Sequence, residues 1–174
     1  MPLKVFKSYT KSMRGTVLVD KKELWKGKSF KALTVGKKSS GGRNNLGRIT
    51  SRRRGAGHKN NYRIIDFYRK KDDVKAKIER IEYDPNRSAY VALVKYDDNT
   101  YNYIIAPNKI SIGDTIISGR NKEIKIGNCM PLSDIPAGTS IHNIELNPKG
   151  GGKLARSAGS SAQISGVDLS LIHI

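Results

Sequence analysis

Charge is segregated along this chain, and that segregation constrains what the chain can become more than any other feature. Of its 33 Lys and Arg residues, 21 fall within residues 1–72, beside only four acids, Asp20, Glu23, Asp66 and Asp72. Residues 73–174 carry the other 12 and are nearly balanced by 11 acids. A modest basic excess is a solvated face, but an excess gathered into one stretch is an electrostatic binding surface. With a net charge of +18 over 174 residues, the partner is a polyanion, either nucleic acid or an anionic membrane surface. No apolar run approaches the ~18 residues of a membrane span. The single cysteine, Cys129, excludes a disulfide framework and a multi-cysteine zinc site.

The densest part of the basic stretch, residues 36–61, has neither a strand nor a helix period. Leu46, Ile49 and Ala56 are its apolar residues, and Gly, Ser and Asn dominate. Alone in water it cannot bury enough surface to offset its ordering entropy, so it is expected to be mobile until bound. Its glycines let the backbone approach phosphate closely, and the arginines between them offer forked donors to paired phosphate oxygens. A plain linker has little use for Arg52, Arg53 and Arg54 together with Arg43, Arg48 and Lys59.

From Tyr62 the texture changes to short β-rich runs: 62–68, 75–83, 88–96, 101–106 and 115–118. Turn chemistry separates them, with DPNR at 84–87 and DDNT at 97–100. Five short strands at this spacing predict a small antiparallel barrel over 62–118, and no helical stripe competes. Tyr83, Tyr90, Tyr96, Tyr101 and Tyr103 form either a base-stacking platform or part of the barrel core, and the core is favoured. A second β-rich module follows over 119–174, with strands expected at 138–146, 153–157 and 161–166. Three strands do not close a barrel. Ile141, Ile144, Leu146, Leu154, Ile164 and Val167 are expected to line one side of it.

Catalytic and cofactor signatures do not assemble. GKS at 27–29 lacks the early glycine of a phosphate loop, since position 22 is Lys22. GGGK ending at Lys153 has Asn147 and Leu154 where glycine and a hydroxyl residue are required. His58, His142 and His173 have no metal-ligand spacing, and His142 reads as structural or RNA-facing. No protein-bound cofactor or metal is expected, beyond Mg2+ that belongs to an RNA partner. Neither a nucleophile nor an acid–base pair is evident.

Longer strings then point to a family. SGGRNNLGRIT (40–50), GAGHKNNYRIIDF (55–67), YDPNRSAYVALVKY (83–96), PLSDIPAGTSIHNIEL (131–146) and GGKLARSAG (151–159) occur in one order. ELWKGK (23–28), KALT (31–34) and YIIAP (103–107) extend the match. Together they resemble the bacterial-type large-subunit ribosomal protein L-two family, in its α-proteobacterial and mitochondrial spelling, from the first residues to about 168.

The resemblance implies a mainly β chain: a basic rRNA-threading extension (1–61), an OB-type five-stranded barrel (62–118) and a partial SH3-like barrel (119–174). It implies large-subunit rRNA and neighbouring ribosomal proteins as partners, no membrane and no enzymatic activity. Members organise rRNA near the peptidyl-transferase region and support subunit association. The family's RNA-contacting positions align with Arg69, Lys71, Arg87 and Arg156 in the barrels, and with Arg43, Arg48, Arg52, Arg53, Arg54, His58 and Lys59 in the extension. Typical members continue well past SLIHI, so the tail's functional residues do not carry over. The expectation is one piece of a split protein, with a separate chain adding strands beside 153–166 and LSLIHI docked, in a ribosome of the mitochondrial matrix or, alternatively, the bacterial cytoplasm. Against this stand a general single-strand-binding module built on the tyrosines, and an RNA-acting enzyme.

Overall fold

The computed structural model describes residues 3–55 and 57–166. Its centre is a curled, half-barrel antiparallel sheet of β5 (Ala76–Glu82), β6 (Val91–Tyr96), β7 (Tyr101–Ile105) and β8 (Thr115–Ile116), in the order β7-β6-β5-β8. Four of the five runs read as strands in the sequence are here. The turns between them are the expected ones: Asp84 accepts from the Asn86 backbone N–H through Oδ1, and Asp98 accepts from that of Thr100.

Strand β6 is buried on both faces, because side chains alternate and each face has its own core. Ile78, Ala92, Val94, Tyr96, Ile104 and Ile116 pack on one side. Val91, Leu93, Tyr103, Ile105, Ile65 and Ala89 pack on the other, under Phe30, Leu33, Phe67 and Tyr101. Residues well before Tyr62 thus contribute to the folded body.

A β-bulge decides what β5 sends to each face. Ile78 pairs with Val94 and Arg80 with Leu93, leaving Glu79 as the extra residue. One inserted residue reverses the phase of everything after it. Ile81 therefore joins Ile78 on the first face, while Arg80 and Glu82 turn to the second, where Tyr103 lies. The sequence carries the trace of this: apolar residues at 76, 78 and 81 break from a spacing of two to three.

The run expected as a strand over 62–68 behaves differently. Strand β4 (Asn60–Arg63) pairs antiparallel with β3 (Thr34–Lys37), in the register Thr34↔Arg63 to Lys37↔Asn60. Beyond it only Ile65 bridges to Tyr103, before Asp66 Oδ1 accepts from the backbone N–H groups of Tyr68 and Arg69 and turns the chain. The basic stretch also holds a small hairpin of β1 (Leu3–Val5) and β2 (Val17–Val19), where no strand was expected.

The second module consists of two short ladders, β9 (Ser140–Ile141) with β12 (Ala162–Gln163), and β10 (Ile144–Glu145) with β11 (Gly152–Leu154). Ile141, Ile144 and Ile164 are half-buried, but Leu146 and Leu154 are exposed and line no core here. Val167 and LSLIHI lie outside the described residues. The Gly152 N–H donates to the Phe67 carbonyl (3.0 Å) and the Ala158 N–H to Ser88 Oγ (3.1 Å), tying this module to the sheet.

Candidate nucleic-acid interface

Pairing of β3 with β4 turns residues 38–59 into a loop closed at its base. Its turns are built from its own polar groups, which a search for periodicity does not detect. The Gly42 carbonyl accepts from the Thr50 and Ser51 N–H groups, both at 3.0 Å, and Arg43 forms a bridge with Ile49. Asn44 Oδ1 accepts from the N–H groups of Leu46 (3.0 Å) and Arg48 (2.9 Å). Gly42 has φ +76°, and a Cβ there would lie 2.2 Å from the Ser51 carbonyl oxygen, so this turn requires glycine.

Arg43, Arg48, Arg52, Arg53, Arg54, His58 and Lys59 are all exposed on this loop. Arg43 donates to the Gly41 carbonyl (2.9 Å), and His58 Nδ1 lies 3.1 Å from the Lys59 carbonyl oxygen. Among the described residues no carboxylate pairs with any of these cations. Their charge faces solvent uncompensated.

The base of the loop is fixed by a buried ionic network. Arg63, in β4, donates from Nε to Glu82 Oε2 (3.0 Å) and sits 3.5 Å from Asp84 Oδ1 through Nη1. Arg80 Nε donates to Glu82 Oε1 (2.8 Å), which also accepts from the Tyr103 hydroxyl (2.9 Å). That hydroxyl in turn accepts from the Phe30 N–H (2.9 Å). Arg87 Nε donates to Asp84 Oδ2 (2.5 Å), and Asp84 is fully buried. Asn86 Nδ2 donates to the Asn61 carbonyl (2.7 Å), while Lys37 Nζ donates to Asn86 Oδ1 (3.2 Å). Buried carboxylates of this kind are tolerated only when paired and hydrogen-bonded. Here their partners come from β4, β5, the DPNR turn and the β3–β4 stem.

Of the barrel positions singled out in the sequence, Arg87 is therefore brought to the loop base, with its guanidinium 5.7 Å from the Tyr62 ring centroid. Arg156 is exposed, stacks at 4.7 Å on Phe67 and donates to the Gly152 carbonyl (3.3 Å). Arg69 and Lys71 have other tethers. Arg69 donates from Nε to Ser118 Oγ (3.1 Å) and from both terminal nitrogens to the Gly127 carbonyl (3.4 and 3.3 Å). Lys71 Nζ binds Asp98 Oδ2 and Thr100 Oγ1 and lies 4.7 Å from the Tyr96 ring centroid. Lys71, then the Thr100 hydroxyl and N–H, hold the exposed Asp98 carboxyl down to about 2, so this acid is ionised opposite Lys71 at any physiological pH. Burial, then the Arg69 charge, lowers His142 from its usual value, which favours a neutral ring.

Tyr96 and Tyr103 are core residues, Tyr90 and Tyr101 half-buried, and Tyr83 exposed, so no tyrosine platform forms. Arg63, Arg80, Glu82, Asp84 and Asn86 were not singled out by the sequence. The phase break in β5 was a signal for Arg80 and Glu82, and the DPNR turn one for Asp84 and Asn86, while Arg63 in β4 carried none. Among the described residues no cluster of His, Cys, Asp and Glu suits a metal ion. No helix there is long and apolar enough to cross a membrane.

Residues 30–118 match the family described as Ribosomal Proteins L2, RNA binding N-terminal domain, and residues 125–174 match Ribosomal Proteins L2, C-terminal domain. The chain is 62% identical over 169 residues to the large ribosomal subunit protein uL2 of Pelagibacter ubique, covering 97% of this chain and 60% of that protein. Against the uL2 of Granulibacter bethesdensis it is 59% identical over 174 residues, 100% of this chain and 63% of the relative. The uL2 of Rickettsia prowazekii is 57% identical over 168 residues, 97% and 62% respectively. The chain thus spans about three fifths of the length of these relatives. With an RNA-binding-domain match over the sheet and the loop, and identity this high along nearly its whole length, the chain belongs to the large-subunit ribosomal protein L2 family.

Proposed function

We propose that this chain binds large-subunit rRNA through the 38–59 loop, with Arg87 and Arg156 extending the contact onto the folded body. The observation that carries this reading is a row of exposed, uncompensated cations on a loop whose base is locked by buried Arg–carboxylate pairs. Fixing the base lowers the ordering cost of binding, while the loop's own turns leave its arginines aimed outward. The three segments divide the work: the extension (1–61) threads RNA, the sheet (62–118) braces it, and the module over 119–174 docks beside them.

The role is architectural and not catalytic. It includes rRNA assembly, subunit association and organisation of the peptidyl-transferase region, alongside neighbouring ribosomal proteins. The family's remaining C-terminal half, carried on the same polypeptide or on a second one, would extend the ladders of the second module. Bacterial relatives favour a bacterial ribosome, and a mitochondrial one is the alternative. The single-strand-binding reading is weaker because Tyr96 and Tyr103 are buried. An epitope-tagged chain expressed in its own host tests the proposal: it should co-sediment with large subunits and cross-link to their rRNA. A tagged chain found only in the ribosome-free fraction would overturn it.

A further inference from the structure

Trp25, the chain's sole tryptophan, is held rigidly and yet left about half exposed. Its backbone N–H donates to the Ile81 carbonyl (2.9 Å), and the residue forms a parallel bridge with Glu82 on the β5 edge. The indole Nε1 donates to the Lys28 carbonyl (3.3 Å), which satisfies the ring's one polar group. Gly27 packs so closely that a Cβ there would lie 2.6 Å from Nε1. The Arg80 guanidinium, anchored by Glu82, stands 4.7 Å from the ring centroid.

The ring borders an open cleft shared with Lys22, Leu24, Lys26, Arg80 and Ile112. One residue beyond Glu82, the exposed Tyr83 ring carries the Lys21 ammonium at 3.6 Å. The cleft therefore combines a pre-fixed aromatic surface with three cations: Lys26 has no carboxylate partner among the described residues, the exposed Lys22 reaches Asp20 at 3.3 Å, and Arg80 is paired with Glu82. A fixed ring with its N–H already satisfied offers stacking surface, and flanking lysines offer charge to the adjoining phosphates.

We propose that the Trp25 cleft is a stacking site for an unpaired RNA base, with Lys26 holding a flanking phosphate and the exposed Lys22 exchanging its surface pairing with Asp20 for a second one. This deepens the rRNA-binding reading and rests on it. It is a site separate from the 38–59 loop, and it selects single-stranded over duplex RNA, because a paired base cannot leave its stack.

A sole tryptophan makes the site directly readable by its own emission. Adding oligoadenylate to the full chain should quench the indole saturably, whereas a blunt A-form duplex should bind without that quenching. Trp25→Ala should weaken oligoadenylate binding about tenfold, within the range that stacking of one base provides, while Trp25→Phe keeps most of the affinity. Unchanged emission together with wild-type binding by Trp25→Ala would refute the stacking site and leave the rRNA reading standing, provided filter binding still detects large-subunit rRNA. Equal quenching by the duplex would also refute it, since phosphate proximity alone would then explain the signal. A folded chain that retains no RNA of any kind would bring down the rRNA reading itself.

Discussion

At the scale of single residues, the basic positions of this chain do two kinds of work. The loop arginines at 48, 52, 53 and 54 have no carboxylate partner among the described residues and are available to phosphate. Arg87 differs, because it neutralises a carboxylate with no exposure to water. The sequence alone suggests that Arg87→Ala would weaken RNA binding with little change in melting. The geometry alters that expectation. Removing the guanidinium leaves Asp84 with only Arg63 and Asn86, so Arg87→Ala should lower stability by about 1–3 kcal/mol as well as reduce rRNA affinity. Urea unfolding followed by filter binding of the folded fraction separates the two effects. Unaltered unfolding would show that Asp84 does not depend on Arg87. Which of the two kinds of work a given arginine does was not legible in the sequence. Arg63 and Arg80 look like any other basic residues until the bulge at Glu79 and the β3–β4 pairing bring them to Glu82 and Asp84.

At the scale of elements, β5 to β8 were legible because short β-rich runs separated by turn residues, Asp-Pro and Asp-Asp-Asn among them, have few alternatives. The β3–β4 stem was not. Its strands are short, polar and separated by the whole 38–59 loop, so their pairing depends on long-range contacts to Glu82 and Asn86. The loop's internal order was hidden for a related reason: it rests on backbone turns around Gly42 and on the Asn44 side chain, not on burial. Gly42→Ala tests this element. The added methyl collides with the Ser51 carbonyl in a backbone region that alanine disfavours, so the loop should lose its turn geometry. Affinity for rRNA should fall several-fold while the urea midpoint of the sheet stays near wild type. A variant that binds rRNA as tightly as the parent would mean that the loop's folded shape plays no part in recognition.

At the scale of the whole molecule, the charge segregation visible in the sequence becomes a division of structure: an uncompensated cationic loop standing on a neutral, doubly packed sheet. The ionic network joins the two parts, so the loop is presented by the fold and is not a mere appendage to it. The most direct test is the salt dependence of binding to large-subunit rRNA, comparing the full chain with a variant in which residues 39–58 are replaced by a short Gly-Ser link. Every phosphate that the variant no longer neutralises should subtract roughly 0.7–0.9 from the slope of log affinity against log salt. We expect the slope to drop by several such steps, with the sheet's unfolding unchanged. An identical slope in the two proteins would contradict the account, because the loop's arginines would then not be meeting phosphates.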